Sequence, residues 1–260
     1  MPSLTLSNSL GSSSPFSKLD RWSLAFDGSN DYIDLGDEFK STIADAHSVS
    51  FWVKFEDAQP SGTNYIAGCR NASGEDNFYV AITSSGALKW YLKGNNDPEE
   101  GACSTTLDDG VSAWTHFVVT ASMGESAGDT VTFYLNGSAT NSTSLSGITK
   151  SNWNAYDSGM NLVLGAYNNN TSVGGNLECN ISDFAFYSKA LSAGEVTSIY
   201  DGGDSYRHDT GVAKANLAGW WRMGDGVENG TGTTVYDASS NSNNGTMTNM
   251  DAGDFEEDSP

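Results

Sequence analysis

The sequence predicts an all-β sandwich or barrel, and three observations lead there. Short runs rich in aromatic and β-branched residues recur along the chain, with turn signals roughly every 8 to 12 residues. Gly is abundant at 29 residues, and Asn, Ser, Thr and Asp fill the gaps between apolar runs, which is turn chemistry. The run from His47 to Phe55 alternates with a period of two, placing Val49, Phe51, Val53 and Phe55 on one face and Ser50, Trp52 and Lys54 on the other. Trp52 makes the second face partly apolar, as in a strand covered on both sides.

The elements follow in order. Residues 1–20 are a Ser-rich polar arm. Trp22 to Phe26, a turn over Asp27-Gly28-Ser29-Asn30, and Tyr32 to Leu35 read as a hairpin. Further strands are expected over 65–69, 78–82, 87–93, 114–121 and 131–135, the last ending in an Asn136-Gly137 hairpin turn. Residues 162–164 and 181–186 continue the pattern. Ser192-Ala193-Gly194-Glu195 is a capping box, predicting one short helix to about Tyr200 that stops at Gly202-Gly203 and plugs the sandwich edge. Residues 204–216 read as a linker, 217–223, 233–236 and 246–250 as strands, and 251–260 as an acidic tail. The expected organisation is an arm (1–20), a sandwich (21–203) and a C-terminal extension (204–260).

Composition bounds the function. A formal charge of −21 with only 12 scattered Lys and Arg argues against nucleic acid and anionic lipid. It favours divalent cations or a basic partner. No apolar run is long enough to span a membrane as a helix. The N-terminus has neither a basic segment nor a continuous apolar one, so a secretory leader is not expected. Cys69, Cys103 and Cys179 lack disulfide or metal spacing and read as buried free thiols.

Five segments resemble laminin-G-like/concanavalin A-like domains. They are Leu24 to Ile33, Val49 to Val53, Trp114 to Thr120, Phe133 to Gly137 and Ile181 to Ser192, in family order. The resemblance implies a two-sheet antiparallel jelly roll with one short helix. In that family a segment like Trp220 to Gly226 followed by Tyr236 to Gly245 precedes the domain. Here it follows, either closing the same sandwich from the other terminus or donating a strand to a neighbouring subunit.

No carboxylate pair fit for glycoside hydrolysis stands within a predicted strand. Glu56-Asp57, Asp97 to Glu100 and Asp108-Asp109 read as loops. His47, His116 and His208 are isolated, with His116 expected at the surface or half-buried, so no catalytic residue is assigned. The resemblance and the oxygen-rich loop around Asp27 and Asp31 suggest calcium held by Asp27, Asp31 and Asp183. Asp201, Asp204, Asp225 and Asp237 read as solvated turns. Glycan stacking needs exposed aromatics, and the candidates are Tyr79, Trp90, Tyr91, Trp153, Tyr156 and Tyr167. Trp90 and Tyr91 are adjacent in a strand, so only one faces inward. Trp52 and Trp114 match packing positions.

The expected function is a non-catalytic binding or structural module. Its expected setting is a virion (phage) surface as a capsid-decoration protein, with a secreted lectin-like adhesin as the alternative. Expected partners are other virion or surface proteins, a second copy of the chain in a homo-oligomer, and cell-surface glycan.

Overall fold

A computed structural model describes residues 22–56, 58–71, 77–94, 97–107, 113–123, 128–145, 160–203, 206–225 and 230–260. The strands are β1 (Ser23–Asp27), β2 (Tyr32–Asp34), β3 (His47–Phe55), β4 (Asn64–Arg70), β5 (Asn77–Ile82), β6 (Ala87–Gly94), β7 (Asp97–Thr106), β8 (Thr115–Ser122), β9 (Thr130–Leu135), β10 (Ser138–Ser144), β11 (Val163–Leu164), β12 (Tyr167–Asn168), β13 (Val173–Gly174), β14 (Glu178–Tyr187), β15 (Leu217–Trp221), β16 (Thr234–Val235), β17 (Gly245–Thr248) and β18 (Phe255–Glu256). Two α-helices join them, α1 (Lys40–Ile43) and α2 (Ala193–Gly202).

The strands form two antiparallel sheets, as a jelly-roll sandwich requires. The first runs β10-β9-β8-β3-β14-β1-β18, with β15 also on β14. The second runs β16-β17-β2-β11-β4-β5-β6-β7, with β12 and β13 alongside β4. The alternation of β3 sets the inside. Val49, Phe51, Val53 and Phe55 enter one core with Phe117 and Val119 of β8, Ile66 and Cys69 of β4, Phe78 and Val80 of β5, and Trp90 of β6. His47 of the first sheet meets Phe78 of the second edge-on at 5.6 Å, and Phe186 meets it tilted at 6.4 Å.

A second, smaller core lies on the outer face of the first sheet. Val118, Tyr134, Ala185, Tyr187 and Trp220 are covered there by Leu191, Val196, Ile199 and Leu217. The capping box of α2 forms as the sequence predicts, with Ser192 and Glu195 bonding reciprocally. The helix therefore covers a sheet face rather than plugging an edge. Residues 206–217 are a packed strap, not a free linker: Tyr206, Val212 and Ala213 join this core and His208 is fully buried.

A bulge in β14 between Ser182 and Ala185 gives the strap its anchor. Asp183 takes a positive φ of 53° there and turns into the outer core. Its Oδ2 bonds His208 Nε2 at 2.8 Å, its Oδ1 accepts from Trp220 Nε1, and His208 Nδ1 bonds the Tyr187 hydroxyl at 2.5 Å. An Asp183→Ala substitution leaves both donors buried without an acceptor. It is expected to lower the unfolding free energy by about 2–4 kcal/mol, read from the urea midpoint.

The last segment pairs within the same chain. β15 lies on β14, β17 on β2 and β18 on β1. Phe255 seats the acidic tail in the main core.

Several local expectations are corrected. β1 and β2 are not a hairpin, because they belong to different sheets. The turn between them satisfies its own backbone: Asp27 Oδ1 accepts from Ser29 N at 2.8 Å, and Asp31 Oδ2 from Asp27 N at 3.0 Å. Asp97 to Glu100 form part of β7, which tolerates Pro98 because it is the sheet edge. All three histidines are buried. Asp225 and Asp237 are buried too. Asp237 accepts from the amides of Trp220, Ser239 and Asn243, and Asp225 from that of Trp22. The three cysteines are free and buried, and burial pushes the Cys69 thiol up to about 12. Asp57, Asp108, Asp109 and Asp204 lie outside the described residues.

Candidate functional site

The two outer faces differ. The first sheet is roofed by α2 and the strap, whereas the outer face of the second carries half-buried polar and aromatic side chains. Alternation in β6 puts Leu88, Trp90 and Leu92 in the core and Lys89, Tyr91 and Lys93 outside.

The registers align this face into one row. Thr234, Thr246, Asp34, Val163, Gly68, Tyr79, Tyr91 and Glu100 stand opposite one another on successive strands from β16 to β7. At its centre four tyrosines gather. Tyr79 and Tyr91 stack at 4.7 Å with rings 4° apart. Tyr65 stacks on Tyr167 at 4.8 Å and meets Tyr79 edge-on at 5.1 Å. Two glycines make this possible. A Cβ on Gly68 would stand 2.7 Å from the Tyr167 ring, and one on Gly175 would stand 2.5 Å from the Tyr65 ring. Because the rings stack on one another, they present edges and hydroxyls rather than open faces. Burial raises the pKa of all four phenols, so each stays a hydroxyl donor at neutral pH.

Beside Tyr167 opens a groove of about 490 Å³, lined by Tyr32, Asp34, Val163, Asn168, Asn170, Asn176 and Asn249 among others. Its amides are fixed in place. Asn176 and Asn249 donate Nδ2 to the carbonyls of Asp31 and Asn30 at 3.1 Å and 2.8 Å, and Asn168 Oδ1 accepts from Asn170 N at 2.9 Å. Preset amides beside a hydroxyl bank suit a polyhydroxylated ligand.

The structure sorts the sequence candidates. It brings Tyr79, Tyr91 and Tyr167 together. It places Trp90 in the core, fully buried, with Nε1 donating to His47 Nε2 at 3.1 Å. Trp153 and Tyr156 lie outside the described residues. Trp52 is buried against His116 and Tyr200, and Trp114 donates to Asp258 at 3.2 Å. Tyr65, Tyr32 and the groove asparagines were not anticipated. A bulge between Tyr65 and Ala67 reverses the inside–outside phase of β4, hiding Tyr65 from a period-two reading.

The three calcium candidates do not form one ligand set. Asp183 lies five positions along β14 from Glu178, the residue opposite Asp27, or roughly 17 Å at strand rise. Both of its oxygens are engaged, Oδ2 by His208 of the strap and Oδ1 by Trp220 of β15. Hydrogen bonds from the Ser29 and Asn30 amides hold the Asp27 carboxyl below its usual range, while desolvation holds that of Asp31 above it. Among the described residues no three His, Cys, Asp or Glu side chains are arranged to hold a metal ion, and no helix is long and apolar enough to cross a membrane.

No match was found among curated proteins. Among solved structures, a Bacteroides ovatus protein proposed to bind carbohydrate is similar over 91% of this chain at 15% identity and a TM-score of 0.61. The chain spans 60% of that protein's length. The Ruminococcus gnavus IT-sialidase CBM40, bound to alpha2,3 sialyllactose, is similar over 71% of this chain and all of its own, at 14% identity and a TM-score of 0.55. The Streptococcus pneumoniae NanB sialidase is similar over 68% of this chain and 27% of its own, at 19% identity and a TM-score of 0.53. A family model matches residues 27–197, and the chain belongs to the concanavalin A-like lectin/glucanases superfamily.

Proposed function

We propose that this chain is a non-catalytic glycan-binding module, and that the outer face of the second sheet is its binding surface. The observation that carries the reading is the register that sets Asp34 and Val163 of the asparagine-lined groove next to Gly68 and Tyr79 of the tyrosine bank, on the face the helix and strap leave open. The groove supplies fixed amides, and the bank supplies hydroxyls and ring edges. Carbohydrate-binding structures with the same fold support the choice of ligand class.

The same row argues against hydrolysis. Its carboxylates, Asp34 and Glu100, are separated by five strand spacings, roughly 24 Å, whereas glycosidase pairs stand about 5–10 Å apart. Each also has a partner. Asp34 accepts from Asn161 Nδ2 and Gly36 N, and Glu100 pairs with Lys89 at 2.6 Å.

The test is a glycan array followed by calorimetry on the best ligand. Tyr79→Ala is expected to weaken that ligand at least tenfold, about 1.4 kcal/mol, in a protein that is less stable by the lost ring contacts but still unfolds in one cooperative transition. Unaltered affinity in this variant sinks the assignment of the face. As its setting we propose a virion surface, with an extracellular adhesin as the alternative, and a homo-oligomer. A monomeric mass by light scattering would count against the oligomer.

A further inference from the structure

We propose that the glycan taken by the tyrosine bank is an anionic one, carrying carboxylate or sulfate groups, and that Arg70 is its charge anchor. This rests on the glycan-binding reading and narrows it.

The chain is strongly acidic, at −21 with 12 Lys and Arg, so its cations are few and their positions informative. Among the described residues, Arg70, Lys89 and Lys93 stand on the outer face of β4 and β6. Register places Arg70, Asn77 and Lys93 in the row next to Gly68, Tyr79 and Tyr91. The Lys89 ammonium lies 6.0 Å from the centre of the Tyr91 ring and pairs with Glu100. Elsewhere four cations pair with nearby carboxylates: Lys40 with Asp37, Lys54 with Asp258, Lys189 with Glu195 and Arg207 with Asp209. Among the described residues no ion pair joins Arg70 to a carboxylate, and Arg70 stands two positions along β4 from Gly68, the residue the Tyr167 ring covers.

A planar guanidinium beside a bank of phenol donors suits an oxyanion. Arg offers a fixed fork that fits carboxylate or sulfate, and O–H donors complete the shell. The overall charge opposes a polyanion at long range, but that field is screened beyond roughly 8 Å at physiological salt. A saccharide fits better than an acidic peptide because the groove beside the bank is lined by amides placed to meet ring hydroxyls.

The experiment measures the affinity of the full chain for two matched pairs: polygalacturonate against its methyl ester, and dextran sulfate against dextran. At least one charged member is expected to bind tenfold or more tightly than its neutral partner, with the preference shrinking as salt rises. The pair showing it tells carboxylate from sulfate. Arg70→Ala is expected to remove most of that preference, and R70E to reverse it. Lys214→Ala, an exposed cation in the strap, is expected to leave it intact. The proposal is overturned if neutral members bind as well as charged ones, if R70A keeps the preference, or if polyglutamate binds as tightly as polygalacturonate. In the first two cases the glycan-binding reading survives. If no saccharide binds, here or on the array, that reading fails as well.

Discussion

A chain ending at Gly203 is expected not to fold. The segment it lacks carries Trp220, Trp221, Met223, Val235, Met247 and Phe255, all buried. Trp221 alone meets Phe39 at 5.5 Å and Phe184 at 6.0 Å in the centre of the main core. Emptying one such site costs about 3–5 kcal/mol, and the cut empties several, against a total stability of about 5–15 kcal/mol for a typical domain. It also strips the covering strands from β1, β2 and β14, leaving hydrogen-bonding edges open. The truncated chain should accumulate as aggregate, without a cooperative urea transition. A soluble product with a sharp transition would show that residues 21–203 suffice. The milder Trp221→Ala should remain folded but lose about 3–5 kcal/mol.

Mild acid should destabilise the protein before its carboxylates titrate. His47 is sealed between the sheets, where Trp90 donates to its Nε2 and its Nδ1 contacts the Asp45 carbonyl at 2.8 Å. An Nε2 that accepts must be unprotonated, so the native site holds the neutral ring. Desolvation pushes His47 down to about 4 and His116 to about 3, from an ordinary 6.5. Below pH 6.5 the unfolded chain takes up protons that the folded chain refuses. Stability therefore falls as pH drops from 6.5 to about 4, where His47 stops contributing, and on towards 3 for His116. His47 alone accounts for roughly 3 kcal/mol over its span. Asp27, Asp37, Asp209 and Glu195, held low by their hydrogen bonds, add acid lability only at lower pH. Urea midpoints at neutral pH and near pH 4.5 read the effect, and His116→Leu should flatten the slope. An identical slope in the variant would assign the lability elsewhere.

How far the sequence showed this molecule depends on what kind of signal a feature leaves. Period-two alternation is local, so β3 and the two faces of β6 could be read directly. The capping box of α2 is equally local. Sheet membership is not. The stretch from β1 to β2 has every mark of a hairpin, and only long-range pairing with β14 and β17 shows that the chain crosses between layers. The candidate site divides the same way. Tyr79, Tyr91 and Tyr167 follow from aromatic content, and adjacency excludes either Trp90 or Tyr91. The bulge conceals Tyr65. The groove takes residues near 30, 170 and 249, and no spacing rule joins them.

The pairing of β1 with β18 has a mechanical consequence. Ser23 stands opposite Glu256, so the fold's first and last strands release the chain side by side at one end of an antiparallel pair. Tension applied through the two termini loads that ladder one hydrogen bond at a time rather than all together. The first event under load is loss of the Asp258 contacts with Lys54 and Trp114, followed by peeling of β18 and withdrawal of Phe255 from the core, while the tyrosine face on the other sheet is still intact. Anchored by one end alone, the module bears no such load.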